Sequence, residues 1–338
     1  MSSGTVQRRA RSGPASALVR AVEWYFGTIF GVHEGPGVLP YYCDPAKVGA
    51  FALSRGELAS GNEAAMFRLF VALSMFQGLR DVVIMKRQRA LAAGRVASIA
   101  SVAGLRRAVA ENDCPALGSV TAFDEGCDVA KDGESVDCGH RPGARCHVKL
   151  ATAAFKRMGD MGKLPTSAWL HFWRSGGLRG VLVEVLQQEP LPAKRAVVLV
   201  ERLARVHRVG RKLATMFVSA LSTPALAPEL TPWFPAVDGN ELVVIDTNVA
   251  RAVDVLRKPG APRTYDARER WLREQAARLD LRQFHPEVPS YSPRLVQQAL
   301  YAFCSKSNRA ARGDACAGAE SPCTGCALEL CPFGVAGR

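Results

Sequence analysis

Wherever a periodicity can be read in this chain, apolar residues return at three- and four-residue spacing, which places them on one stripe of a helix. Met66, Leu69, Phe70, Leu73 and Phe76 form such a stripe from Glu63 onward, and Leu213, Met216, Phe217 and Ala220 form another after Arg211. The same spacing predicts helices over 17–30, 82–110, 168–173, 178–187, 193–206 and 295–303, punctuated by Pro165, Gly176, Gly177, Pro190 and Pro192. Strand signals are scarce, and the best is the apolar run Leu242–Ile245. With no internal repeat, the expectation is an all-α chain carrying one long insertion.

The insertion occupies 111–137, where eight acids stand against one base, Lys131, among several glycines. Overall the balance is the opposite: 44 Lys and Arg against 31 Asp and Glu give a net charge of +13, which suits a polyanion and makes nucleic acid the first partner to consider. The longest apolar stretch, Ala64–Leu79, is interrupted by Arg68 and falls short of the ~20 residues a bilayer span needs, so no membrane is expected. Arg8, Arg9 and Arg11 precede the first acid, Glu23; residues 1–16 read as a disordered basic tail, with an organelle transit peptide as the other reading. Gly35, Pro36, Gly37 and Pro40 mark a candidate boundary, and 338 residues suffice for two core-forming units.

Ten cysteines without a recognisable secretory signal argue for metal or redox chemistry rather than a disulfide scaffold. Cys316-x6-Cys323-x2-Cys326-x4-Cys331 packs four thiolates into sixteen positions, enough for a tetrahedral zinc or a cubane iron-sulfur cluster. Cys304, upstream of them, reads as a buried thiol. An earlier group, Cys114, Cys127, Cys138 and Cys146 with His140 and His147 nearby, lacks any Cys-x2-Cys pair. Zinc, scattered reduced thiols and disulfides all remain readings of it.

Residues 204–214 join two amphipathic helices through a short turn. Gly210 offers a backbone conformation that a Cβ would hinder, and leaves the N–H groups of the next helix accessible to an anion. Arg202, Arg205, Arg208, Arg211 and Lys212 surround that point with no acid from 202 to 212, a composition suited to a phosphodiester. Lys212 stands in the helix's first turn, where the dipole disfavours a cation and so favours a neutral, nucleophilic amine. Thirty-four residues later Asp246 precedes an apolar-periodic run, as a helix cap would.

Val206–Ala214 followed by the Asp246 segment resembles the helix-hairpin-helix and aspartate signature of the endonuclease III superfamily of DNA glycosylases. The C-terminal cysteine spacing resembles that family's iron-sulfur loop. The similarity covers roughly 60–110 and 150–331, with departures. Arg208 replaces the first hairpin glycine and Asn248 a histidine, Ser222–Leu242 lengthens the interval before the aspartate, and the last cysteine interval is one residue short.

The resemblance implies two helical domains: a helical barrel over 56–245 containing the hairpin, and a second domain built from 17–55 with 246–338. It implies a 4Fe-4S cluster on Cys316, Cys323, Cys326 and Cys331, fixing Lys306, Arg309 and Arg312 against DNA. Lys212 would be the nucleophile of a bifunctional glycosylase and AP lyase, and Asp246 would assist it. Gln77, in Ser74-Met75-Phe76-Gln77, would fill the space left by a flipped base. Arg205, His207, Arg208, Val209, Gly210 and Arg211 would grip the backbone of double-stranded DNA holding a damaged or modified base. A monomer is expected, in the nucleoid region of a bacterium or the nucleus or an organelle of a eukaryote. Two rivals remain: a monofunctional glycosylase using activated water, with Lys212 on a phosphate, and a non-catalytic DNA-binding protein reusing both modules.

Overall fold

The computed structural model describes residues 14–30, 38–111, 114–127, 129, 137–138, 141–155, 159–306, 309 and 327–332. The described residues are helical apart from one two-stranded antiparallel ribbon, Asp137–Cys138 with Arg141–Arg145, so the class is all-α. No described helix is long and apolar enough to cross a membrane. Residues 1–13 of the expected basic tail lie outside the described residues. The chain divides into two compact units, residues 34–242 and residues 1–33 with 243–338.

At the centre of the 34–242 unit runs the helix Glu63–Ser74, opened by Asn62, whose side chain accepts the Ala64 and Ala65 N–H groups. Its sequence stripe predicts one buried face. Instead Phe67, Val71 and Ala72 are buried along with Met66, Leu69, Phe70 and Leu73, because neighbours cover it on several sides. Phe70 packs edge-on against Phe217 at 5.1 Å, and Phe67 against Trp173 at 4.8 Å. Truncating such a ring costs about 3–5 kcal/mol. The buried Gln88 donates to the Ala72 carbonyl at 2.7 Å and accepts the Tyr42 hydroxyl at 3.1 Å, pinning the helix's C-terminal turn.

The single helix expected over 82–110 is three: Asp81–Ala90, Ala93–Ile99 and Val102–Glu111. Periodicity continues across the breaks, but Leu91 and Ala92 are extended, and Ser101 turns its hydroxyl onto the Gly104 N–H at 3.1 Å to start a new helix. Gly104 approaches the preceding helix so closely that a Cβ there would stand 2.2 Å from the Ala97 carbonyl oxygen.

In the other unit, Pro14–Thr28 packs along Pro293–Cys304, which also meets Thr247–Leu256 and Tyr265–Ala276. Ala21, Val22, Tyr25, Leu295, Val296, Ala299, Leu300 and Phe303 are all buried, and Trp24 meets Phe303 edge-on at 5.2 Å. Leu242–Ile245 is buried but forms neither strand nor helix. Its apolar character satisfies burial, and a side chain described below takes over part of the hydrogen bonding a neighbouring strand would supply.

Candidate active site

The hairpin consists of Pro192–Leu203, a turn over 204–210, and Arg211–Ser222. Leu203, Val206, Val209 and Leu213 are buried and anchor the turn from below, while the His207 N–H donates to the buried Ser167 hydroxyl at 3.0 Å. Arg205, Arg208 and Arg211 are exposed around it, and His207 is half-buried. Arg202 leaves this rim: its guanidinium binds Glu184 at 2.6 Å and Gln188 at 2.9 Å on Leu178–Gln188.

The expectation for Gly210 is corrected. Its φ is −80° and its ψ 178°, open to any residue, and an added Cβ would meet nothing within 4 Å. The left-handed residue of the turn is Arg208, at φ 62°. The chain thus keeps the backbone shape of a glycine while holding a cation there, at a cost of about 1–2 kcal/mol. Gly210, the N-cap residue of the second helix, has no side chain to cap with, and Gly210 and Arg211 are exposed at that helix start.

Lys212 is half-buried in that first turn, and its Nζ lies 3.4 Å from the Phe76 carbonyl oxygen. The fold therefore brings the lysine to the loop that follows the central helix. In that loop the Gln77 side-chain amide folds back on the Ser74 carbonyl at 2.7 Å, and Gly78, at φ 62°, turns the chain away. Lys212 and Gln77 are 135 positions apart in sequence, and tertiary packing makes them neighbours.

In the second unit Asp246 is the N-cap of Thr247–Leu256: its carboxylate accepts the Val249 N–H at 2.7 Å. The segment before it is held by Tyr265, whose hydroxyl donates to the Val243 carbonyl at 2.8 Å and accepts the Ile245 N–H at 3.3 Å. Arg294 is buried and bonded to Gln297 and Gln298. Burial pulls its guanidinium down to about 10, while Tyr25, Tyr265 and Asp246 act in the opposite sense. Sequence reasoning missed Tyr265 and Arg294, since neither lies in a motif: Tyr265 acts on a segment 20 and 22 positions away, and the burial of Arg294 comes from packing.

The insertion is more ordered than a loop. It holds the turn Pro115–Leu117 and the helix Val120–Gly126, which the Ser119 hydroxyl caps. Lys163, almost fully buried, closes that helix's C-terminal end by donating to the Asp124 carbonyl at 2.9 Å and the Cys127 carbonyl at 2.7 Å. Cys127 and Cys146 are buried and Cys114 is half-buried; burial pushes the Cys127 thiol up to about 11, with the other two cysteines raising it further. Burial also lowers His147 to about 4. The side chain of Cys138 and the whole of His140 lie outside the described residues, and among the described residues no group of three or more His, Cys, Asp or Glu gathers as a metal site.

Of the C-terminal ligand candidates, Cys316, Cys323 and Cys326 lie outside the described residues, as does Arg312. Cys331 is half-buried after the turn Leu328–Leu330, and Cys304 is buried. The expected DNA contact by Arg309 is corrected: it is 1% exposed, with its guanidinium 5.1 Å from the Trp24 ring and 4.9 Å from that of Phe303. Lys306 is exposed. No family model, curated protein or solved structure matches the chain.

Proposed function

We propose that this chain is a DNA glycosylase with AP-lyase activity, acting on a flipped damaged or modified base in duplex DNA. The observation that carries the reading is the placement of the Lys212 amine: in the first turn of a helix that starts at Gly210, beside the exposed Arg205, Arg208 and Arg211, and against the loop bearing Gln77. An exposed helix start among arginines suits a phosphodiester, and the half-buried lysine beside it suits a nucleophile.

In this reading Lys212 Nζ attacks C1′ of the extruded nucleoside and the base departs with the glycosidic electron pair, taking up a proton. Opening of the sugar gives the Schiff base. Loss of a C2′ proton then expels the 3′ phosphate, and water frees the lysine. Asp246 stabilises positive charge on the sugar as the base leaves. Cys316, Cys323, Cys326 and Cys331 would hold a 4Fe-4S cluster, whose part in this reading would be structural, and no step runs through it. Cys114, Cys127, Cys138 and Cys146 form the candidate zinc group, and metal and sulfide analysis of the purified protein tests both assignments.

Borohydride trapping on a panel of single-lesion duplexes tests the chemistry. The wild type is expected to give a covalent adduct with one class of lesion, and Lys212→Gln to lose it, a drop on the order of 10³-fold or more. An adduct that survives in Lys212→Gln removes the nucleophile. Base release without any adduct favours the water-using enzyme. Tight, salt-sensitive binding with no base release on any duplex leaves only a DNA-binding protein.

A further inference from the structure

Asp246 follows a stretch of chain with an unusual problem. Val243, Val244 and Ile245 are buried, yet the segment belongs to no helix or strand, so its amides and carbonyls lie in an apolar setting without a ladder to satisfy them. One side chain answers for two of these groups. The Tyr265 hydroxyl donates to the Val243 carbonyl and accepts the Ile245 N–H, so a single oxygen bridges the residues immediately before the carboxylate. Tyr265 opens the helix Tyr265–Ala276, which Thr264 caps through the Ala267 N–H at 3.2 Å, and this fixes where the phenol starts. On its other side Asp246 is fixed by its own bond to Val249. Both the entry to and the exit from the aspartate are therefore set by directed hydrogen bonds.

The geometry points to Tyr265 as a positioning residue for Asp246: its hydroxyl sets the path of 243–245 and so the place from which the carboxylate acts. This rests on the glycosylase reading, in which Asp246 meets the reacting sugar. Buried Arg294 lies within electrostatic reach of both Tyr265 and Asp246. Tyr265 itself touches no reacting atom.

The test compares Tyr265→Phe, which removes the hydroxyl alone, with Thr264→Ala, which weakens the same helix but leaves the hydroxyl in place. Each is measured by single-turnover base release at saturating protein, by affinity for the lesion duplex and by melting temperature. Tyr265→Phe is expected to slow base release by ~10- to 100-fold at unchanged duplex affinity, the size of effect that a small misplacement of a reacting group produces. Thr264→Ala is expected to melt earlier while releasing base at the wild-type rate. If Thr264→Ala slows release as much as Tyr265→Phe, the tyrosine is merely structural and the inference falls. If the wild type releases base and Tyr265→Phe matches it, the inference alone falls. If the wild type releases no base from any duplex, the glycosylase reading fails and takes the inference with it.

Discussion

Two helix N-termini in this chain are treated in opposite ways. Thr247–Leu256 begins with an aspartate that satisfies one of its own N–H groups, whereas Arg211–Ser222 begins at a glycine, which has no side chain to cap with, and places Arg211 and Lys212 where the dipole favours acids. A cap contributes ~1 kcal/mol, and the second helix forgoes it. The comparison teaches that a helix start without a capping side chain of its own, with cations added, has a composition suited to an anion, while the other end presents its carboxylate in one fixed geometry. In stability alone the open end is inferior.

The largest way to break the comparison is at the closed end. Asp246→Ala is expected to lower unfolding stability by ~1 kcal/mol in a urea titration, and Asp246→Asn to lower it far less, since asparagine caps as well as aspartate. Both should reduce base release on the order of 10²-fold if the charge acts on the sugar. An Asn variant with full activity would make Asp246 a cap and nothing more. At the open end, Arg208→Gly relieves the left-handed residue and should stabilise the protein by about 1 kcal/mol. It should also weaken duplex binding and reduce the salt slope by ~1. Loss of stability would show that the arginine's contacts outweigh its backbone cost. The smallest effect is expected from Gly210→Ser, which can adopt the native φ and ψ and supplies the missing cap. Stability should rise by a few tenths of a kcal/mol. If phosphate binds at these N–H groups, duplex affinity should fall several-fold as the hydroxyl takes them. Unchanged affinity would mean that phosphate does not bind there.

What was legible in the sequence was local. The Asp246 cap, the hairpin turn and most helices follow from residue spacing and from the chemistry of single positions. The 82–110 stretch misled because apolar spacing survives across Leu91–Ala92 and Ala100–Ser101, while the breaks depend on capping and on the closeness of Gly104 to Ala97. Gly210 was read from its type, yet the positive φ sits two residues earlier on an arginine. Arg309 and Lys163 look like surface cations in sequence, but aromatic rings or carbonyls from distant segments bury them. Tyr265 was invisible for the same reason: its two partners lie 20 and 22 positions away on another segment.

A third N-terminus solves the problem by borrowing. Leu178–Gln188 starts at Gly177, and the N–H groups of Leu178 and Arg179 are received by Glu63, at 2.9 and 2.6 Å, from the first turn of the central helix. A carboxylate in the first turn of one helix thus caps the start of another more than a hundred positions away, so fraying at that end of either disturbs the other. Their first-turn amides should exchange with solvent together, with Glu63 as the rivet between these two helices of the 34–242 unit.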